Sequence, residues 1–316
     1  MTFPHDYYNM LINDLQGTLQ VHPRKGEAMT GDAIVAEELT YLYDELVAVD
    51  HINFNVAEGE ILGFLGPNGA GKTTTVKMLT GQLKPKGGKA MLLGMDVALN
   101  VEKVQGDIGV CFETTNLYEQ MSAVENLQLF ARLFNVRQFD GNTLLERVGL
   151  AGRERDRVEN YSKGMKQRLM VARSIINRPR VLFLDEPTAG LDPTSAEGIR
   201  NIILEERERG ATVFLTTHDM MEADKLSDRV AFMNQGKIVA LDTPLNLKQQ
   251  YGKRALKAIV ATDGGGLEDR EIILDTPETS SAVQKLFKKE KVVTVHSEEA
   301  TLEDIFITIT GRGLTE

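Results

Sequence analysis

Two hydrophobic rhythms alternate along the chain. From Glu38 to about Met95 the apolar positions form short β-type runs: LVAVDHINFNV alternates, EILGFLG is nearly continuous, and KAMLLG follows. Alternation predicts half-buried strands, and the continuous block predicts a strand covered on both faces. GPNGAGKTT interrupts this section and leads into the helical TTTVKMLTGQL, which Gly81 closes. After a short strand, IGVCF at 108–112, the rhythm becomes helical from about 116 to 177. There Val124, Leu127, Phe130, Leu133 and Phe134 recur at helical spacing behind Ser122-Ala-Val-Glu125, a capping box. TLLERVGL and KGMKQRLMVARSII add further helices.

Strand–helix alternation then resumes. VLFL at 181–184 reads as a central parallel strand, and Asp192-Pro193 starts the helix TSAEGIRNIILEERER, ended by Gly210. TVFLTT is another strand, and RVAFM-NQG-KIVALD a hairpin. Thr243-Pro244 opens a short helix. Beyond it ALKAIVAT, REIIL, SSAVQKLFKK, VVTVHS and TLEDIFITITG read as a separate small unit, with a glycine loop at 264–266 and a capping pair at Thr301 and Asp304. The reading is therefore α/β in three parts: a flexible polar tail at 1–33, a main domain at 34–244 with a helical insert at about 116–177, and a small C-terminal α/β domain at 245–316. Met29 is an alternative natural start.

Composition narrows the class. The 316 residues are 42% hydrophobic and 26% charged, as expected of a globular chain with a real core. Net charge is −10, which disfavours a general nucleic-acid surface. The single cysteine, Cys111, has no intrachain partner and suits a reducing compartment. No apolar run reaches the roughly 18 residues of a membrane helix, and MTFPHDYYNM is not a secretory signal. A cytoplasmic protein is expected, one that would need another subunit to act across a membrane.

The chemistry concentrates in three places. Gly66–Thr74 fits G-x-x-x-x-G-K-[ST] between an apolar strand and a helix. In that arrangement the backbone of Gly66, Pro67, Asn68, Gly69, Ala70 and Gly71 forms an anion nest at a positive helix end. Lys72 reaches the β- and γ-phosphates of ATP, and the Thr73 hydroxyl holds Mg²⁺, with Thr74 next in the turn. VLFLDEP supplies Asp185 for water-bridged Mg²⁺ and Glu186 to activate an attacking water; two acids at a strand end also serve as helix caps. His218, after the next strand, is placed to bond the γ-phosphate.

In this order the elements resemble the nucleotide-binding subunits of ABC transporters over about residues 38–242. Gly66–Thr74 is similar to Walker A, Val181–Glu186 to Walker B, Ala189–Asp192 to the D-loop and His218 to the switch histidine. YSKGMKQR stands where the family has LSGGQ. The resemblance implies a P-loop ABC cassette with a mixed sheet and a helical subdomain. It also implies a head-to-tail pair of cassettes, in which Ser162, Lys163, Gly164 and Met165 close over the partner's ATP. Asp192 would lie at that junction, and Tyr43, rather than the competing Tyr41, would stack on adenine. Tyr161, Lys163 and Met165 depart from the family's leucine, glycine and glutamine. Glu113 stands where the Q-loop glutamine is usual; a carboxylate there is a competent Mg²⁺ ligand, though it adds negative charge beside Asp185 and Glu186.

The phrasing of YSKGMKQR and ATLEDIFITITGRG resembles the bacterial exporter branch. That implies an ATP-hydrolysing homodimer at the inner face of the membrane, bound to a separate integral-membrane permease and to no nucleic acid. Two other functions share the motifs: a soluble ABC ATPase of translation or DNA maintenance, and an ATP-gated switch without turnover.

Overall fold

The computed structural model describes residues 31–252, 255–262, 265–274, 276–298, 300–311 and 313. The tail read at 1–33 lies almost wholly outside these residues, as do Met29 and Gly264.

Three sheets and their helices follow from the patterns above. The first is antiparallel, with strand order β2-β1-β4-β5, where β1 is Asp32–Tyr43, β2 Leu46–Ala57, β4 Gly87–Leu92 and β5 Met95–Asp96. The second has order β10-β9-β3-β8-β7-β6. Its strands are β3 Ile61–Leu65, β6 Ile108–Cys111, β7 Val181–Asp185, β8 Thr212–Thr217, β9 Arg229–Asn234 and β10 Lys237–Asp242. Strands β9, β3, β8, β7 and β6 run parallel, and β10 joins antiparallel through the hairpin. Strands β3, β7 and β8 are buried at every position, because both faces of this sheet are covered.

One covering layer is the antiparallel sheet with helix α1 (Lys72–Leu79). Phe54, Phe64, Phe214 and Phe183 stack through this core at centroid separations of 5.1 to 5.9 Å, an offset geometry that favours aromatic contact. A second short helix, α2 (Val101–Asp107), precedes β6. The other layer holds α3 (Ala123–Leu133), α4 (Gly141–Arg147), α5 (Lys163–Ser174) and α6 (Pro193–Glu208). The capping box expected at Ser122 and Glu125 is formed in both directions.

A third core joins the chain's late helices to the same sheet. α7 (Met220–Leu226), α8 (Pro244–Tyr251) and α10 (Leu302–Thr310) enclose Leu65, Val230 and Phe232. Phe306 of α10 meets Phe232 edge-on at 5.5 Å and is 1% exposed. Between α8 and α10 lies an antiparallel sheet of order β12-β11-β13 (Leu267–Ile273, Ala255–Ala261 and Lys291–Glu298), with α9 (Thr279–Lys289) packed on it. Its own buried cluster is small: Ala258, Val260 and Leu286. Residues after 245 are thus of two kinds, an outlying sheet-and-helix unit and a last helix that returns to the main core.

Candidate nucleotide site

Strand order builds the site. β3, β8, β7 and β6 are neighbours and parallel, so the loops at their C-terminal ends share one edge, as ligand sites do in open α/β sheets. Those loops carry Gly66–Gly71, His218, Asp185 with Glu186, and Glu113.

The Gly66–Gly71 loop is wedged into its neighbours. A Cβ on Gly66 would fall 2.2 Å from the Met233 carbonyl oxygen. Gly71 has φ +109°, and a Cβ there would lie 2.3 Å from the Ala48 carbonyl oxygen, so both positions require glycine. Gly236 N donates to the Ala70 carbonyl at 3.0 Å, tying the loop to the β9–β10 turn. Lys72 is 7% exposed; its Nζ donates to the carbonyls of Gly66 at 2.6 Å and Pro67 at 3.3 Å.

Beside this loop the acids are held from both strands. Asp185, 1% exposed, accepts from the Thr73 hydroxyl at 2.9 Å and from the Thr216 hydroxyl. Glu186 is 7% exposed and has φ +51°, a left-handed conformation that costs a bulky residue about 1–3 kcal/mol. Its backbone N–H donates to the Thr216 carbonyl at 3.0 Å. Glu186 Oε2 lies 2.7 Å from His218 Nδ1, and the His218 backbone N–H donates to the same oxygen at 3.3 Å. The other oxygen, Oε1, is buried with no hydrogen bond among the described residues and forms an ion pair with Lys72 Nζ at 3.5 Å. A carboxylate oxygen with hydrogen-bonding capacity left over beside a lysine is an arrangement that can receive a water or a hydroxyl.

Lys72, Thr73, Asp185, Glu186 and His218 therefore meet in one place. Thr216 belongs with them. The TTH run at 216–218 was its only signal in the sequence. Glu113 follows β6 at the same edge, exposed and without a hydrogen bond or ion pair among the described residues. Downstream its loop is pinned: Arg173 donates to the Asn116 carbonyl at 2.7 Å and lies 4.6 Å over the Phe130 ring. No group of three or more His, Cys, Asp or Glu among the described residues forms a metal cluster.

Ser162, Lys163, Gly164 and Met165 lie elsewhere, at the start of α5. The Ser162 hydroxyl caps that helix by accepting from Met165 N at 3.2 Å. Ser162 and Lys163 are exposed. A Cβ on Gly164 would meet Ser195 Oγ at 3.2 Å, and one on Gly190 would lie 2.5 Å from Lys163 Nζ. The segment thus packs on the 188–192 loop, where Asp192 caps α6 by accepting from Ser195 N at 3.0 Å. Hydrogen bonds from Ser195 hold the Asp192 carboxyl below its usual value. Tyr161 has a structural reason to differ from leucine: it is 6% exposed and donates to the Arg153 carbonyl at 2.7 Å. Burial pushes its hydroxyl up to about 12. Tyr43 is 42% exposed and meets Tyr41 edge-on at 4.9 Å, while Tyr41 packs against the core.

Residues 49–189 match the family described as ABC transporter. A fluoroquinolones export ATP-binding protein of Mycobacterium tuberculosis (strain CDC 1551 / Oshkosh) is 45% identical over 286 residues, 90% of this chain and 95% of its own. The chain belongs to the ABC transporter ATP-binding family. A daunorubicin resistance ATP-binding protein of Streptomyces coeruleorubidus is 39% identical over 237 residues, 74% of each chain. The solved structure of an ATP-binding subunit of an ABC transporter superposes with a TM-score of 0.65 at 27% identity, covering 69% of this chain and 93% of its own. The chain is thus a nucleotide-binding ATPase with the expected P-loop cassette fold. No helix among the described residues is long and apolar enough to cross a membrane.

Proposed function

We propose that this chain is the motor subunit of an exporter. Two copies close on two ATP molecules, hydrolyse them and part, and the motion passes to a separate integral-membrane permease at the inner face of the cell membrane. The observation that carries this reading is the Glu186 carboxylate, held by His218 on one oxygen and, on the other, ion-paired with Lys72 at 3.5 Å with no hydrogen bond among the described residues.

ATP phosphates take the place of the Gly66 and Pro67 carbonyls as partners of Lys72, with the loop's N–H groups around them. Thr73 and Asp185, a hydroxyl and a carboxylate 2.9 Å apart, are hard oxygen donors of the kind Mg²⁺ takes, with Glu113 as a further contact from the loop after β6. Bound there, Mg²⁺ would neutralise charge on the phosphates. Glu186 Oε1 accepts a proton from the attacking water. His218 Nδ1 steadies the other oxygen and leaves Nε2 of a half-exposed ring for the γ-phosphate. Tyr43 stacks on adenine.

The rest of each site comes from the second copy. The exposed start of α5 offers the Ser162 hydroxyl, the N–H groups near Gly164 and Met165, the Lys163 charge and the positive helix end to a γ-phosphate. These groups pack on their own chain's 188–192 loop rather than forming part of the cluster around Lys72. The interface is isologous, with Asp192 at the junction. Export, rather than uptake, is the direction in the name of the fluoroquinolones export relative.

The test is Glu186→Gln. ATP binding should survive, a nucleotide-stabilised dimer should accumulate on a sizing column, and phosphate release should fall about a thousandfold. Turnover near the parent rate would remove Glu186 from its role. Failure to copurify with any multi-helix membrane protein encoded beside it would count against the permease.

A further inference from the structure

Glu222 belongs to none of the motifs above. It stands in the first turn of α7, 2% exposed, and its carboxylate reaches two loops of the site. The Thr188 hydroxyl lies 2.7 Å from Oε1 and 2.8 Å from Oε2, and the Thr217 hydroxyl donates to Oε2 at 3.2 Å. Thr188 is two residues beyond Glu186; Thr217 is immediately before His218.

We propose that Glu222 is a positioning residue for ATP hydrolysis: it pins the 186–192 loop to the end of β8 and thereby sets Glu186 and His218 against each other. Backbone bonds already join the two at their roots, Glu186 N–H to the Thr216 carbonyl and His218 N–H to Glu186 Oε2, and Glu222 adds a tie farther along both loops. The 186–192 loop closes on itself, Ala189 N donating to the Glu186 carbonyl and Leu191 N to the Thr188 carbonyl, each at 3.2 Å. Thr217 Oγ1 accepts from Asp219 N at 3.0 Å, so the hydroxyl that reaches Glu222 also orients the turn after His218. Asp219 caps α7 through Met221 N and Glu222 N, which fixes the helix that carries the carboxylate.

A carboxylate is a costly choice for a purely structural bolt. No cation forms an ion pair with Glu222 among the described residues, and Arg200 and Asp219 act on it only through space. Burial accordingly raises its carboxyl above the usual value. A buried charge held by two hydroxyls stabilises less than an apolar contact of the same size. Its use lies in direction: one carboxylate accepts from two loops just beyond the paired ends of β7 and β8. The 188–192 loop also lies against Lys163 at Gly190 and against Gly164 at Leu191. Through it, Glu222 connects the surface offered to a partner's ATP with the histidine that serves its own.

This inference rests on the catalytic roles given above to Glu186 and His218. The full-length protein is therefore assayed as Thr188→Val, Glu222→Ala, their double variant and Glu222→Gln, with Glu186→Gln alongside. Thr188→Val and Glu222→Ala should each lower kcat about tenfold by misplacing the pair. KM for ATP should stay within twofold, since neither residue touches the phosphate loop. The double variant should be no slower than the slower single, because both remove one shared bond. Glu222→Gln, which keeps an acceptor oxygen, should recover most of the rate. Unchanged kcat in folded Thr188→Val, multiplied losses in the double variant, or a rise in KM at constant kcat would each overturn the role of Glu222. Should Glu222→Ala fail to fold, Thr188→Val decides, because it exchanges a hydroxyl for a methyl. Full turnover in Glu186→Gln would instead overturn the reading of the site beneath it.

Discussion

The edge of the parallel sheet and the outlying β11–β13 unit bury very different things. At the edge, Lys72, Asp185, Glu186, Thr216, Thr217 and Glu222 are all at least nine-tenths buried, a cluster of polar and charged groups. In the outlying unit the buried side chains among the described residues are Ala255, Ala258, Val260 and Leu286, all apolar, while Val293, Phe287 and Leu267 remain more than half exposed. One region spends the stability of two large cores on a strained, charged arrangement. The other has only enough core to keep its own shape. Strain such as the left-handed Glu186 persists where the surroundings over-determine it, and only the first region can do that.

The sharpest break between them is in rate. Glu186→Gln should cost about a thousandfold in phosphate release, while no substitution within β11–β13 or α9 should change turnover at saturating ATP by more than about twofold. Next comes Phe306→Ala, in the last helix. Phe306 packs on Phe232 in the main core, so its loss should cost about 3–5 kcal/mol in denaturant unfolding of the ATPase domain. It also lines a small cavity beside Pro67–Ala70, so weaker ATP binding should accompany the loss. Leu286→Ala should cost about 2–4 kcal/mol, confined to the outlying unit, with hydrogen exchange rising in β11–β13 and not in β3, β7 or β8. If Phe306→Ala and Leu286→Ala unfold the same segments, the division of the tail into two kinds fails. The smallest effect is Tyr161→Phe: about 1 kcal/mol from the lost bond to the Arg153 carbonyl, with hydrolysis unchanged.

What could be read in advance follows the same line. Gly66–Thr74, Asp185, Glu186 and His218 were legible because their chemistry needs fixed residue types at fixed spacing from strands, and the continuous apolar runs announced those strands. The long helices were legible through their caps and periodicity. Two of the three seven-residue helices, α2 and α7, were not: VEKVQGD and MMEADKL lack the paired leucines that made α4 legible in TLLERVGL. Missing α7 hid Glu222, although Asp219 three residues ahead of it is a usable cap signal. The return of Phe306 to Phe232 was not legible either, since a contact across some seventy residues leaves no local pattern. Tyr161 read as a departure from a motif, when its hydroxyl serves the helical layer beneath.

The central claim is that the groups around Lys72 form only part of the γ-phosphate environment, the remainder being the start of α5 from a second copy. The direct measurement is specific ATPase activity of the full-length protein against its own concentration, at saturating ATP and with a sizing profile at each point. Activity per chain should fall in step with the dimer fraction as the protein is diluted. A constant activity per chain in samples that run as monomers would contradict it.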